Sequence, residues 1–102
     1  METVFAVVYT VFCKSDIGES NANSGCWGVY RDRPSAELAM MEAQSKLRDD
    51  ALAWDEDPTE NLHTIETMET GVLDEDRVYI EYENEYDETI EVIVNIFETT
   101  LH

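Results

Sequence analysis

At 102 residues the chain is long enough to close one hydrophobic core and too short for two, so it reads as a single domain spanning 1–102. A 43% hydrophobic content that includes ten aromatics excludes a disordered acidic tail, which needs high charge together with low hydrophobicity. Twenty-four Asp and Glu against six Lys and Arg, a net of −18, argue against direct binding to nucleic acid or to an anionic membrane surface.

The charge is also lopsided. Residues 1–51 hold eight acids and five bases, whereas residues 52–102 hold sixteen acids and one base, Arg77. Self-repulsion of this kind destabilises a compact fold. It is retained either as adaptation to salt or because the field is useful, and in the second case the expected partner is basic.

In chain order, Thr3 to Cys13 is β-branched and aromatic, which predicts a strand. Val4, Ala6, Val8 and Phe12 fall on one face, and Phe5, Val7, Tyr9 and Val11 on the other. A strand apolar on both faces belongs in the interior of a sheet. The same run lacks the basic flank of a signal peptide and the length of a membrane span, so a soluble, cytoplasmic protein is expected.

Lys14 to Gly25 has the composition of a loop, with neither a GxGxxG nor a GxxxxGK[ST] phosphate-binding pattern. Cys26 to Tyr30 predicts a short returning strand. Cys13 and Cys26 form no CxxC unit and read as free cytosolic thiols; if their strands pair they could lie opposite one another, which leaves a disulfide open. Asp32-Arg33-Pro34-Ser35 predicts a helix start, and Ala36, Met40, Ala43, Leu47, Ala51 and Trp54 give one buried stripe to about Trp54. Met40 and Met41 read as core and flank of that stripe. The bases from Arg31 to Arg48 either tether the helix to the acidic remainder or simply solvate it; the second is expected, since exposed ion pairs contribute little.

Asp55 to Pro58 ends the helix. Asn61 to Thr70 fits a helix by its apolar spacing, but its threonines and short length favour a strand, which is the assignment adopted. Gly71 to Asp76 reads as an acidic connection. Arg77 to Phe97 predicts a hairpin with a polar turn near Glu85–Glu88. Val78, Ile80 and Tyr82 form a core face, Tyr79, Glu81, Glu83 and Glu85 the opposite face, and Ile90, Val92, Val94 and Ile96 a second apolar row.

The order β-β-α-β-β-β predicts an α+β fold: a mostly antiparallel sheet of four to five strands with one main helix packed on one face. One helix cannot cover both faces. Val7, Tyr9, Ile93 and Phe97 are therefore expected to be partly bare, as a homodimer interface or a docking surface for a target.

The carboxylates that could carry function fall into groups: Asp55, Glu56, Asp57 and Glu60; Asp74, Glu75 and Asp76; Glu81, Glu83 and Glu85; Asp87, Glu88 and Glu91. Alternate residues on a strand are roughly 6.5–7 Å apart. Successive phosphates of one DNA strand rise about 3.4 Å along the axis and, because they also rotate about it, are separated by roughly twice that. A line of strand glutamates can therefore hold charge at approximately phosphate spacing, although most charge runs are simply solvated faces. Tyr79 and Tyr86 lie among these acids and are the aromatic interface candidates, whereas Tyr82 is expected in the core.

No cofactor and no metal centre is expected. The acidic stretches lack the glycine and alternating ligands of an EF-hand, and His63, His102, Cys13 and Cys26 have no ligand-pair spacing. Catalysis is not expected either, since neither a nucleophile–base pattern nor a pocket is indicated.

On YIEYENEYDETIE and the DED clusters, the chain resembles the DNA-mimic inhibitors of phages and mobile elements, of the anti-restriction and anti-CRISPR type. These share no common fold, so no residue is carried over by alignment. The resemblance implies an inhibitor of a basic nucleic-acid-binding protein or nuclease, acting in the host cytoplasm. Its phosphate surrogates would be Glu81, Glu83, Glu85, Asp87 and Glu88, flanked by Asp74, Glu75, Asp76, Asp55, Glu56 and Asp57. The alternative is a small adaptor or regulator that binds a basic or apolar protein surface without imitating DNA. Halophilic adaptation is a third reading; few lysines favour it, and the isoleucines and the charge asymmetry do not.

Overall fold

The computed structural model describes residues 2–15, 18–52, 62–83 and 88–101. The chain runs β1 (Glu2–Ser15), β2 (Gly18–Tyr30), α1 (Arg33–Leu52), α2 (Leu62–Thr67), β3 (Glu69–Asp74), β4 (Arg77–Glu83) and β5 (Thr89–Leu101). The strands form one antiparallel five-stranded sheet in the order β2-β1-β5-β4-β3, with α1 as the main helix packed on it. This is the α+β arrangement expected from the sequence, with one short helix added.

As predicted, β1 is an interior strand, but β5 takes the centre. It pairs with β1 along its whole length, from Glu2↔Leu101 to Lys14↔Thr89, and with β4 on its other side. Register fixes the faces. Val78 opposes Val94 and Ile80 opposes Val92, so the two apolar rows of the hairpin meet on one side of the sheet. Val7, Val78, Val94 and Ile96 on that side pack against Ala36, Ala39, Met40 and Ala43 of α1. The three alanines are almost wholly buried and bring the helix backbone close to the strands. Each valine or isoleucine buried there contributes roughly 1.5–3 kcal/mol relative to exposure.

Asp32 caps α1: its Oδ1 accepts the Ser35 N–H at 2.8 Å, which holds its carboxyl below the ordinary carboxylate range. The predicted stripe is present, with Ala36, Met40 and Ala43 buried, Leu47 and Ala51 half-buried, and Met41 on the exposed flank. Trp54 lies outside the described residues. Gln44 is buried in the same stripe, and its Nε2 donates to the carbonyls of Gly71 (3.0 Å) and Tyr79 (2.9 Å). A helix side chain thus ties the outer strand to its neighbour.

Four expectations are corrected. Lys14 to Gly25 is mostly strand: β2 starts at Gly18, opposite Ser15, because the ladder satisfies its backbone whatever its polar side chains prefer. Residues 61–70 are not a strand; Leu62–Thr67 is helical and β3 begins at Glu69. The connection expected from Gly71 to Asp76 is therefore strand as far as Asp74, and only residues 75–76 turn. Two of the threonines that suggested a strand instead serve β4 from the helix. Thr64 Oγ1 donates to Glu83 O at 3.2 Å, and Glu83 N–H donates to Thr67 Oγ1 at 2.9 Å. The side chains bond the backbone of β4 just beyond the point where pairing with β3 stops.

The fourth correction concerns the open face. Val7 is fully buried and Tyr9 borders the helix-side core, whereas Ile93 and Phe97 do lie on the uncovered side. Parity places Ala6, Val8, Thr10 and Phe12 there with them. The cysteines are free thiols, as expected. Cys13 pairs with Ser20 and Cys26 with Val8, five residues away along β1, roughly 17 Å, so the two do not meet.

Tyrosine rings cover three strand glycines. A Cβ at Gly25 would come within 2.6 Å of Tyr9, at Gly28 within 2.6 Å of Tyr30, and at Gly71 within 2.8 Å of Tyr79. Only glycine leaves room for these rings to lie flat on the neighbouring backbone.

Candidate functional site

The side of the sheet away from α1 has an apolar part and an acidic part. The apolar part is a shallow depression of about 210 Å³ lined by Val8, Thr10, Phe12, Ile93, Asn95 and Phe97, with Arg77 at its edge. Phe97 is 51% exposed. The acidic part lies further along β4 and β5 and is built by register.

Glu69 of β3 opposes Glu81 of β4, and Glu81 opposes Glu91 of β5. Three carboxylates therefore stand in one row across three strands, at a strand spacing of roughly 4.8 Å. Glu83 lies two residues beyond Glu81 on the same face, roughly 6.5–7 Å along the strand. At the β1 end of the row Lys14 Nζ sits 3.7 Å from Glu91 Oε2. Like charges directly opposite one another are destabilising in a sheet. The backbone beneath is firm, because the Glu83 peptide is bonded on both sides by Thr64 and Thr67. Tyr79 lies on this face too, half-buried, its ring spread over Gly71.

The other predicted residues do not join this patch. Glu88 accepts a hydrogen bond from Cys13 Sγ at 3.3 Å, and Cys13 belongs to the helix side of β1. That bond, helped by burial, pushes the Cys13 thiol up. Tyr82 is on the helix side, as expected of a core residue, and burial raises its phenol.

Asp74 and Asp76 are at the opposite end of β4. Asp74 Oδ2 accepts from Arg77 Nε (2.8 Å) and Nη2 (2.6 Å), and its Oδ1 accepts the Asp76 N–H at 2.9 Å. The arginine, then the peptide N–H, hold the Asp74 carboxyl below the ordinary range. Asp76 pairs with Arg33, which also reaches Glu37 (2.9 Å) and the Glu75 carbonyl (3.3 Å). Glu75 itself is exposed. Asp55, Glu56, Asp57, Glu85, Tyr86 and Asp87 lie outside the described residues.

All six Lys and Arg side chains lie within 4.0 Å of a carboxylate. Arg33 tethers α1 to the β3–β4 turn, whereas Lys46 and Arg48 pair with Asp50 and Asp49 of their own helix. Tethering and solvation thus both occur, on different residues.

Glu69 and the row it starts were not anticipated, because the segment preceding β3 reads ambiguously and the row exists only through cross-strand register. Among the described residues no group of three His, Cys, Asp or Glu side chains could hold a metal ion, and no helix is long and apolar enough to cross a membrane. The chain matches no protein-family model, and no curated protein and no solved structure is significantly similar to it.

Proposed function

We propose that this protein binds and inhibits a nucleic-acid-binding protein or nuclease by offering carboxylates where that target expects backbone phosphates. The observation that carries this reading is the row Glu69–Glu81–Glu91 with Glu83 one step along β4. It sets negative charge on a grid across three strands, at roughly 4.8 Å across and 6.5–7 Å along, close to phosphate separation in one direction. The grid costs folding stability through repulsion, and every base in the chain is already engaged elsewhere or at its margin. A surface that is expensive to keep and rigidly held is suited to a complementary cationic groove.

Capture from host lysate, with and without excess duplex DNA, tests this. The expected result is a basic nucleic-acid-binding protein that is recovered alone and lost when DNA is added. Glu81→Lys/Glu83→Lys should abolish its inhibition while the far-UV circular dichroism stays unchanged. Inhibition that survives the double reversal refutes the assignment of these residues.

The exposed Phe97 beside Val8 and Ile93 favours a second reading, in which the partner docks on the apolar part of the same face without imitating DNA. There Phe97→Asp removes binding, the glutamate reversals leave it, and DNA does not compete.

A further inference from the structure

We infer that the outer edge of β3 is a docking site for an extended, basic segment of a partner protein, which adds to the sheet as a sixth strand. The site adjoins the carboxylate row, with which it shares Glu69, and stands whether or not that row imitates DNA.

β3 ends the sheet, and among the described residues no strand pairs with its outer side. An edge strand presents alternate N–H and C=O groups to any chain laid beside it. Edges are usually blunted by Lys, Pro or a bulge. Glu69–Asp74 contains neither Lys nor Pro, and its irregularity comes only at its end, between Val72 and Asp74. The opposite edge, β2, is broken by two register shifts. Gln44 fixes β3 in place through the Gly71 carbonyl, so the template is pre-ordered.

Beside this edge lies a groove of about 510 Å³ between α1 and β3. Met40, Met41, Val72 and Val78 form its apolar lining, and Glu37, Asp74 and Glu75, with the ion-paired Arg33, its polar lining. Val72 is 66% exposed and Met41 48%. Val72 shares the helix side with Val78, its register partner, whereas Glu69 shares the other side with Glu81. An added strand alternates its side chains between the same two sides. Those on the helix side enter an apolar groove; those on the other side meet Glu69. The fitting segment alternates aliphatic and basic residues.

Charge selects this occupant over a second copy of the chain. Two copies bring together −18 each. Antiparallel self-pairing centred on Gly71 and Val72 would also set Glu69 of one copy against Asp74 of the other, and opposed acids destabilise a ladder.

The test uses the full chain and a fluorescein-labelled (Lys-Val)₄ peptide, with an otherwise identical peptide N-methylated at alternate amides, read by anisotropy and by amide hydrogen exchange. The expected result is saturable binding, slowed exchange confined to residues 69–74, and roughly tenfold weaker binding of the N-methylated peptide, the effect of one to two main-chain hydrogen bonds. Val72→Lys, at an exposed position that leaves the core intact, should weaken binding to a similar degree. Absence of saturable binding overturns the inference. So does equal affinity for the two peptides, which means that charge alone attracts them, or protection on the face of Glu81 and Phe97. Sedimentation showing a dimer that Val72→Lys dissociates assigns the edge to a second copy and likewise overturns it.

Discussion

Replacing Glu81 by glutamine should make the protein more stable, and by an amount that salt controls. Glu81 is the middle of the three-glutamate row and has a carboxylate on each side. Lys14 offsets charge only at the β1 end, so the centre is where removal gains most. With each neighbouring carboxylate at roughly 6 Å in high dielectric, repulsion is about 0.7 kcal/mol per pair, or about 1.4 kcal/mol for two. Screening over a Debye length of about 30 Å at 10 mM salt leaves roughly 1.1 kcal/mol; at 1 M, with a length of about 3 Å, roughly 0.2 kcal/mol remains. Urea unfolding of wild type and Glu81→Gln at the two salt concentrations measures this difference directly. A gain near 1 kcal/mol at low salt that nearly vanishes at high salt fits the row. No gain at 10 mM, or a gain that salt does not change, would show that the three carboxylates do not repel one another in the folded state. Under the proposed function the same substitution weakens capture of the basic target, so stability and binding should move in opposite directions.

Other substitutions probe the frame around the site. Gln44→Leu removes two hydrogen bonds from a buried donor and should lower stability by about 2 kcal/mol in urea. Gly71→Ala forces the Tyr79 ring off β3 and should lower the melting temperature, whereas Gly71→Ala/Tyr79→Ala together should lose less than the two single changes summed. Asp74 is depressed in the folded state, so its contribution is present above the ordinary carboxylate value of 3.8 and is lost as pH falls through the lower folded value. The stability difference between wild type and Asp74→Asn at pH 7 should therefore shrink in acid. Glu88→Gln should let Cys13 react with a thiol reagent at lower pH, since the carboxylate that raises its pKa is gone.

Much of the fold was legible because the strands that make the core carry their own periodicity. Val78, Ile80, Val92 and Val94 alternate strictly, and the helix stripe from Ala36 to Leu47 follows a capping aspartate. What was not legible depended on distant partners. β2 is a strand because β1 lies beside it, despite a Ser/Asn/Gly sequence that favours a loop. The α2 threonines look like strand residues until Glu83 is seen to need hydrogen bonds from them. Phase along β1 was clear, but which phase met the helix depended on its register with β5, and so Val7 and Tyr9 were placed on the wrong side. In the candidate site, Glu81 and Glu83 could be read from β4 alone. Glu69 and Glu91 could not be linked to them without cross-strand pairing, and Asp74 and Asp76 gave no sign that Arg77 and Arg33 would engage them.

The complete pairing of the six cationic side chains bears on how a partner arrives. Each positive charge is held within 4.0 Å of a carboxylate, so each appears from a distance as part of a neutral pair, and what acts at long range is the net −18. A basic molecule is drawn in by that charge, with an encounter rate that falls as ionic strength rises. Residence is decided after contact, as the arriving molecule moves over an acidic surface until apolar patches and hydrogen-bonding edges slow its departure.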